Sequence, residues 1–138
     1  MTLLVLVLPS LAASLTVDPS DPGAYATIED AISDAVDGDT VSVTSGTYYE
    51  CIDTSGKDLT IVGDSGSGST TLNGNGYCDQ VVTISSGEAV TLTGFTIRNN
   101  SSRGAYVYTS TATFSDVVFD ALGDTSISGS ALSWPISS

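Results

Sequence analysis

Histidine is absent from the 138 residues, and cations are nearly so: Lys57, Arg98 and Arg103 stand against sixteen acids, for a formal charge of −13. Without histidine, the usual Ser-His and Cys-His nucleophile arrangements cannot be built. With so little Lys and Arg the chain repels phosphate backbones and anionic lipid, so no nucleic acid partner is expected. Cysteine is scarce too. Cys51 and Cys78 are too few for a zinc site, which normally takes four N/S ligands. They suffice for one disulfide in an oxidising compartment, with two buried thiols as the alternative. Aromatic residues make up only 7%. No apolar run reaches the ~20 residues of a membrane span. The Gly-Ser run at 63–69 lacks the lysine and helix that a phosphate-cradling loop requires.

What is abundant is Ser, Thr and Gly, set among Val, Ile, Leu and Ala. That mix disfavours a helical bundle and suits short strands joined by small turns. Residues 1–14 read as a secretory signal: an apolar run at 3–8, Pro9, then the cleavage-like Leu11-Ala12-Ala13 or Ala12-Ala13-Ser14. No positive charge precedes the run, so the true start is expected upstream. A buried N-terminal strand is the alternative. The remaining 15–138 are predicted to form one domain, secreted or held at the cell surface.

A polar loop at 16–23 precedes one predicted helix. Thr27 is its candidate N-cap, with Asp30 three residues on. Ile28, Ala31, Ile32, Ala35 and Val36 form a single apolar stripe, and Gly38 is placed at the end. After Asp39 the apolar period falls from 3.6 to 2. Short strands are predicted at 40–43, 48–52, 59–62, 70–73, 80–84, 89–93, 95–99, 105–108, 112–115 and 117–120.

Strand count alone also fits a sandwich, but internal repetition favours a solenoid. Val90, Leu92, Phe95 and Ile97 superpose on Ala112, Phe114, Val117 and Phe119 at an offset of 22 residues, with Gly94 and Asp116 at the same corner. Leu59, Ile61 and Gly63 match Val90, Leu92 and Gly94 at an offset of 31, the excess taken up by the loop at 64–69. Two strands with a corner, followed by a third short strand, make the coil of a three-sided parallel solenoid of roughly three and a half turns.

Ala26-Thr27-Ile28-Glu29-Asp30-Ala31-Ile32, then Asp37-Gly38-Asp39-Thr40-Val41-Ser42-Val43 and Gly46-Thr47-Tyr48-Tyr49-Glu50, resemble the N-terminal capping segment of pectin-lyase-like right-handed β-helix proteins. Lys57-Asp58-Leu59-Thr60-Ile61-Val62-Gly63 and Val90-Thr91-Leu92-Thr93-Gly94-Phe95-Thr96-Ile97-Arg98-Asn99 resemble the first turns of that fold. The resemblance spans about residues 25–123. It implies an all-β right-handed parallel β-helix with a short N-terminal capping α-helix. It does not choose among the lyases, hydrolases, esterases, adhesins and phage spikes that this fold hosts.

No catalytic residue is assigned. Lyases of this fold combine a basic residue with acidic Ca²⁺ ligands, and their catalytic groups lie on later turns. Candidate carbohydrate contacts are Tyr106 and Tyr108, which share a strand face, together with Arg98. Packing against the core is the competing role for the tyrosines. For Arg98 the competing role is an exposed ion pair with Asp120 one turn on. Asp18 and Asp21 in one loop, and Asp37 and Asp39 around Gly38, are the candidate ligands for Ca²⁺, the only cofactor considered. Turn and cap chemistry competes for all four. Asn99 and Asn100 each begin an Asn-x-Ser sequon at a strand end, where turn chemistry also accounts for them. Nothing after Asp120 resembles a cap, so a longer β-helix or self-association through an uncapped end is expected. The function expected is a non-catalytic structural, adhesive or carbohydrate-contacting module. The alternative is the N-terminal part of a polysaccharide-degrading enzyme.

Overall fold

The computed structural model describes residues 2–5, 11–124 and 132–133, without the side chains of 99–102, 121–124 and 132–133. Among the described residues the strands are β1 (Ser14–Val17), β2 (Thr40–Val43), β3 (Gly46–Tyr48), β4 (Ile52–Asp53), β5 (Leu59–Gly63), β6 (Thr70–Asn73), β7 (Gln80–Ile84), β8 (Ala89–Val107), β9 (Thr111–Asp124) and β10 (Leu132–Ser133), with one helix, α1 (Ile28–Asp34). Every strand pairing is parallel. The chain is a parallel β-solenoid of about four turns.

The pairings fall into three ladders. The first runs β1, β2, β5, the start of β8, β9 and β10. The second runs β3, β6, the middle of β8 and β9. The third joins β4, β7 and the end of β8. Both repeats read from the sequence are the observed registers. Val90, Leu92, Phe95 and Ile97 pair with Ala112, Phe114, Val117 and Phe119, and Leu59 and Ile61 pair with Val90 and Leu92.

Period-2 alternation turns one row of each strand inward. Val41, Ile61, Leu92 and Phe114 stack in one fully buried column, as do Tyr48, Leu72 and Ile97 on the second ladder. Outward on the first ladder, Thr40, Thr60, Thr91 and Thr113 form a column of β-branched cross-strand pairs, an arrangement that favours the sheet. Gly94 turns the corner at φ +80°, and Asp116 does so at φ +49° in the next turn. Gly63 and Gly94 meet across consecutive turns so closely that a Cβ on either would strike the other's backbone carbonyl. The inserted loop at 64–69 is fastened rather than loose: Asp116 accepts from the Ser67 N–H and hydroxyl at 3.1 and 2.8 Å.

Helix α1 is shorter than expected. Thr27 caps it, its Oγ1 accepting from the Asp30 N–H at 3.1 Å. The helix ends at Asp34 because Ala35 turns extended, and Gly38 (φ +91°) serves the following turn instead. Val36 consequently leaves the stripe and is half exposed, while Ile28, Ala31, Ile32 and Ala35 are buried. Seven residues are too few to hold a helix alone, and the next turn of the solenoid secures both ends. Glu50 accepts from the Ile28 and Glu29 N–H groups at 2.9 and 3.0 Å. The Lys57 ammonium donates to the Ile32 and Ser33 carbonyls at 2.6 and 2.9 Å. An anion at the N-terminus and a cation at the C-terminus both oppose the helix dipole.

Three strand expectations are corrected. The segment 48–52 is two strands, β3 and β4, interrupted where Glu50 leaves to cap the helix and Cys51 to form its disulfide. The pieces at 89–93, 95–99 and 105–108 run together as β8, and those at 112–115 and 117–120 as β9. Residues 16–17, read as loop, belong to β1.

Candidate carbohydrate-contact surface

Tyr106 and Tyr108 lie at the end of β8. Ala105 and Val107 between and beside them are fully buried, so alternation puts both tyrosines outside. Their rings are nearly parallel, 11° apart, with centroids separated by 6.1 Å. Tyr108 is 57% exposed and Tyr106 half-buried.

The turn beside this pair is rigidly built. Glu88, 2% exposed, accepts from the Ser85 and Ser86 N–H groups at 3.0 and 3.2 Å and from the Thr54 hydroxyl of the preceding turn. The Tyr108 N–H continues the ladder onto the Ile84 carbonyl at 2.9 Å, and Thr109 (φ +51°) then leaves the strand. Beside Tyr106 stands Thr83, and beside Thr83 stands Asp53, giving an outward row across three turns. Asp53 Oδ1 accepts from the Ser55 N–H at 2.8 Å.

Arg98 lies on the second ladder, not with the tyrosines. It pairs with Asp120, Nη2 to Oδ2 at 2.6 Å and Nε to the same oxygen at 2.9 Å. Both side chains are 47% exposed, so the pair contributes at most ~1 kcal/mol.

The four aspartates considered for Ca²⁺ are engaged by hydrogen bonds. Asp18 accepts from the Ser20 hydroxyl and N–H at 2.7 and 2.9 Å, and these hold its carboxyl below the usual range. Asp21 accepts from the Gly23 N–H at 2.8 Å and Asp37 from the Asp58 N–H at 2.9 Å. Asp39, 4% exposed, joins two segments by accepting from the Val36 and Ala13 N–H groups at 2.9 and 2.7 Å, and its carboxyl is likewise lowered. Among the described residues no three His, Cys, Asp or Glu side chains converge as metal ligands would.

Cys51 and Cys78 are bonded, with Cα atoms 6.0 Å apart, stapling consecutive turns just before β4 and β7. The Glu29 carboxyl is pushed up: burial dominates, opposed by the Asp53 N–H it accepts at 3.2 Å and reinforced by the charges of Asp53, Glu50 and Asp30. Glu50, Glu88 and the capping role of Lys57 were not foreseen. The partners of Glu50 and Lys57, and the Thr54 partner of Glu88, lie a whole turn away in sequence, and only a repeat-aligned reading of polar residues would have paired them. Leu3, Leu4 and Val5 of the predicted leader are largely exposed and take no part in the core, and β1 begins at Ser14. The side chains of Asn99 and Asn100 lie outside the described residues.

No helix among the described residues is long and apolar enough to cross a membrane. Comparison with protein-family models, curated proteins and solved structures returns no match.

Proposed function

We propose that this chain is a module of a secreted or cell-surface, right-handed, three-sided β-helix of the pectin-lyase-like kind. In this reading it contacts carbohydrate through Tyr106 and Tyr108 and performs no catalysis itself. The carrying observation is the near-parallel tyrosine pair on the outer face, set on a turn that Glu88 fixes from within. Aromatic rings with wet hydroxyls offer an apolar face to sugar C–H groups and a polar tip to sugar hydroxyls. The handedness follows the strong preference of crossover connections between parallel strands. Secretion is supported by the disulfide, which persists in oxidising compartments. The non-catalytic reading is supported by the cations. Lys57 is committed to helix carbonyls and Arg98 to Asp120, and Arg103 is not without a partner.

The test is a glycan array run beside a polysaccharide depolymerisation assay, with and without Ca²⁺. Saturable binding that is lost in Tyr108→Ala, without product, is the expected result. Unsaturated or reducing-end products would overturn the non-catalytic reading. Silence in both assays from folded protein would overturn the carbohydrate reading.

A further inference from the structure

We infer that the tyrosine surface takes a neutral, hydroxyl-rich pyranose chain and rejects polyuronates, with Asp53 as a specificity-determining residue. This rests on the carbohydrate reading above and goes beyond it in naming the substrate class.

The row Asp53, Thr83, Tyr106 stands on the outer face across three turns of the third ladder. Ile52, Val82 and Ala105 beside them are buried, which fixes the three side chains outward. Neighbouring turns of a parallel ladder are ~4.8 Å apart, so Thr83 is one step and Asp53 two steps, ~10 Å, from Tyr106. A sugar ring against the tyrosines therefore has a hydroxyl and then a carboxylate along one flank. Asp53 spends one oxygen on the Ser55 N–H and is exposed, leaving acceptor capacity for sugar hydroxyls.

A uronate carboxylate at that flank meets the repulsion of Asp53, while the nearest cation on the ladder, Arg103, three residues before Tyr106, already has a partner of its own. Recognition of a carboxylate favours an Arg fork or a Lys. The chain's three cations are already engaged: Lys57 on α1, Arg98 on Asp120, and Arg103 with a partner of its own. The net charge of −13 adds a repulsive field at long range. Unscreened Coulomb repulsion in water between Asp53 and one uronate carboxylate at ~10 to ~5 Å corresponds to about two- to fourfold in affinity. A polymer presents several such carboxylates, so the expected discrimination exceeds tenfold at low salt.

The experiment measures binding of soluble β-glucan, galactomannan and polygalacturonate to the full chain by affinity electrophoresis and calorimetry, at low and high salt. The set includes wild type, Tyr108→Ala and Asp53→Asn, the last able to keep the Ser55 contact through its amide oxygen. At least one neutral polymer should bind at least tenfold more tightly than polygalacturonate at low salt. Tyr108→Ala should lose that binding, and Asp53→Asn should narrow the gap by about two- to fourfold. Polygalacturonate binding that equals neutral binding and depends on Tyr108 would overturn this inference and leave the carbohydrate reading standing. A gap that Asp53→Asn leaves unchanged would remove Asp53 from its role. If no polymer binds folded protein, the carbohydrate reading falls and this inference with it.

Discussion

Replacing Gly94 by alanine adds a single methyl group where two turns of the solenoid touch. Gly94 has φ +80°, and the new Cβ would run into the carbonyl of Gly63, its counterpart one turn earlier. Two costs follow. The left-handed conformation costs an L-residue about 1–2 kcal/mol. Separating two packed corners costs a further 1–3 kcal/mol, in the range found for overpacked cores. Gly87→Ala separates the two costs. Gly87 has the same φ, +80°, but nothing lies within 4 Å of the position its Cβ would take. Urea melts followed by far-UV circular dichroism should show Gly87→Ala losing about 1–2 kcal/mol and Gly94→Ala losing about 3 kcal/mol or more, with unchanged m-values. Equal losses would refute the close approach of the corners, and with it the stacking of Gly63 on Gly94.

Other perturbations probe the remaining supports. The double variant Cys51→Ser/Cys78→Ser opens a loop of 27-residue separation and should cost about 3.5 kcal/mol, measured in the same melts against the oxidised, disulfide-bonded wild type. Lys57→Met removes two charge-assisted hydrogen bonds from the end of α1 and should cost about 1–2 kcal/mol; Arg98→Met, which breaks an exposed pair, should cost ~1 kcal/mol or less. Asp39 has its carboxyl lowered by the Val36 and Ala13 N–H groups, so its contribution is complete above the ordinary value of 3.8 and lost as pH falls through the folded value. Asp39→Ala should therefore lower Tm at pH 7 and lose that effect at strongly acid pH. Glu29 is raised, chiefly by burial, so its charge opposes folding at neutral pH and that opposition vanishes below the ordinary value of 4.5. Glu29→Gln should raise Tm at pH 7, with the gain disappearing as pH falls towards 4.5.

The solenoid was legible because its information is local and repeated. The register of Val90 to Phe119 follows from one alternation pattern copied 22 residues on, and a one-residue slip would have turned every apolar side chain outward. The tyrosine pair was legible for the same reason, since Tyr106 and Tyr108 two residues apart on a strand must share a face. What was not legible depends on partners a turn away. The seven-residue α1 is held by Glu50 and Lys57, more than 20 residues downstream, and no periodicity within the helix reveals them. The N–H groups of Asp58, Val36 and Ala13 that Asp37 and Asp39 accept from were likewise not legible, because nothing in the sequence around the two acids marks those partners. The merging of strands into β8 and β9 went unseen because a corner with φ near +80° or +49° bends the chain without ending its pairing.

The central claim is that successive turns stack in parallel at the registers described. Thr40, Thr60, Thr91 and Thr113 occupy one outward column of the first ladder, so cysteines carrying spin labels can be placed at Thr113 and at each of the others in turn. Electron paramagnetic resonance should give backbone separations growing by ~4.8 Å per turn, from one step for Thr91 to three for Thr40. Distances that fail to grow in that order would contradict the solenoid and the placement of every side chain discussed above.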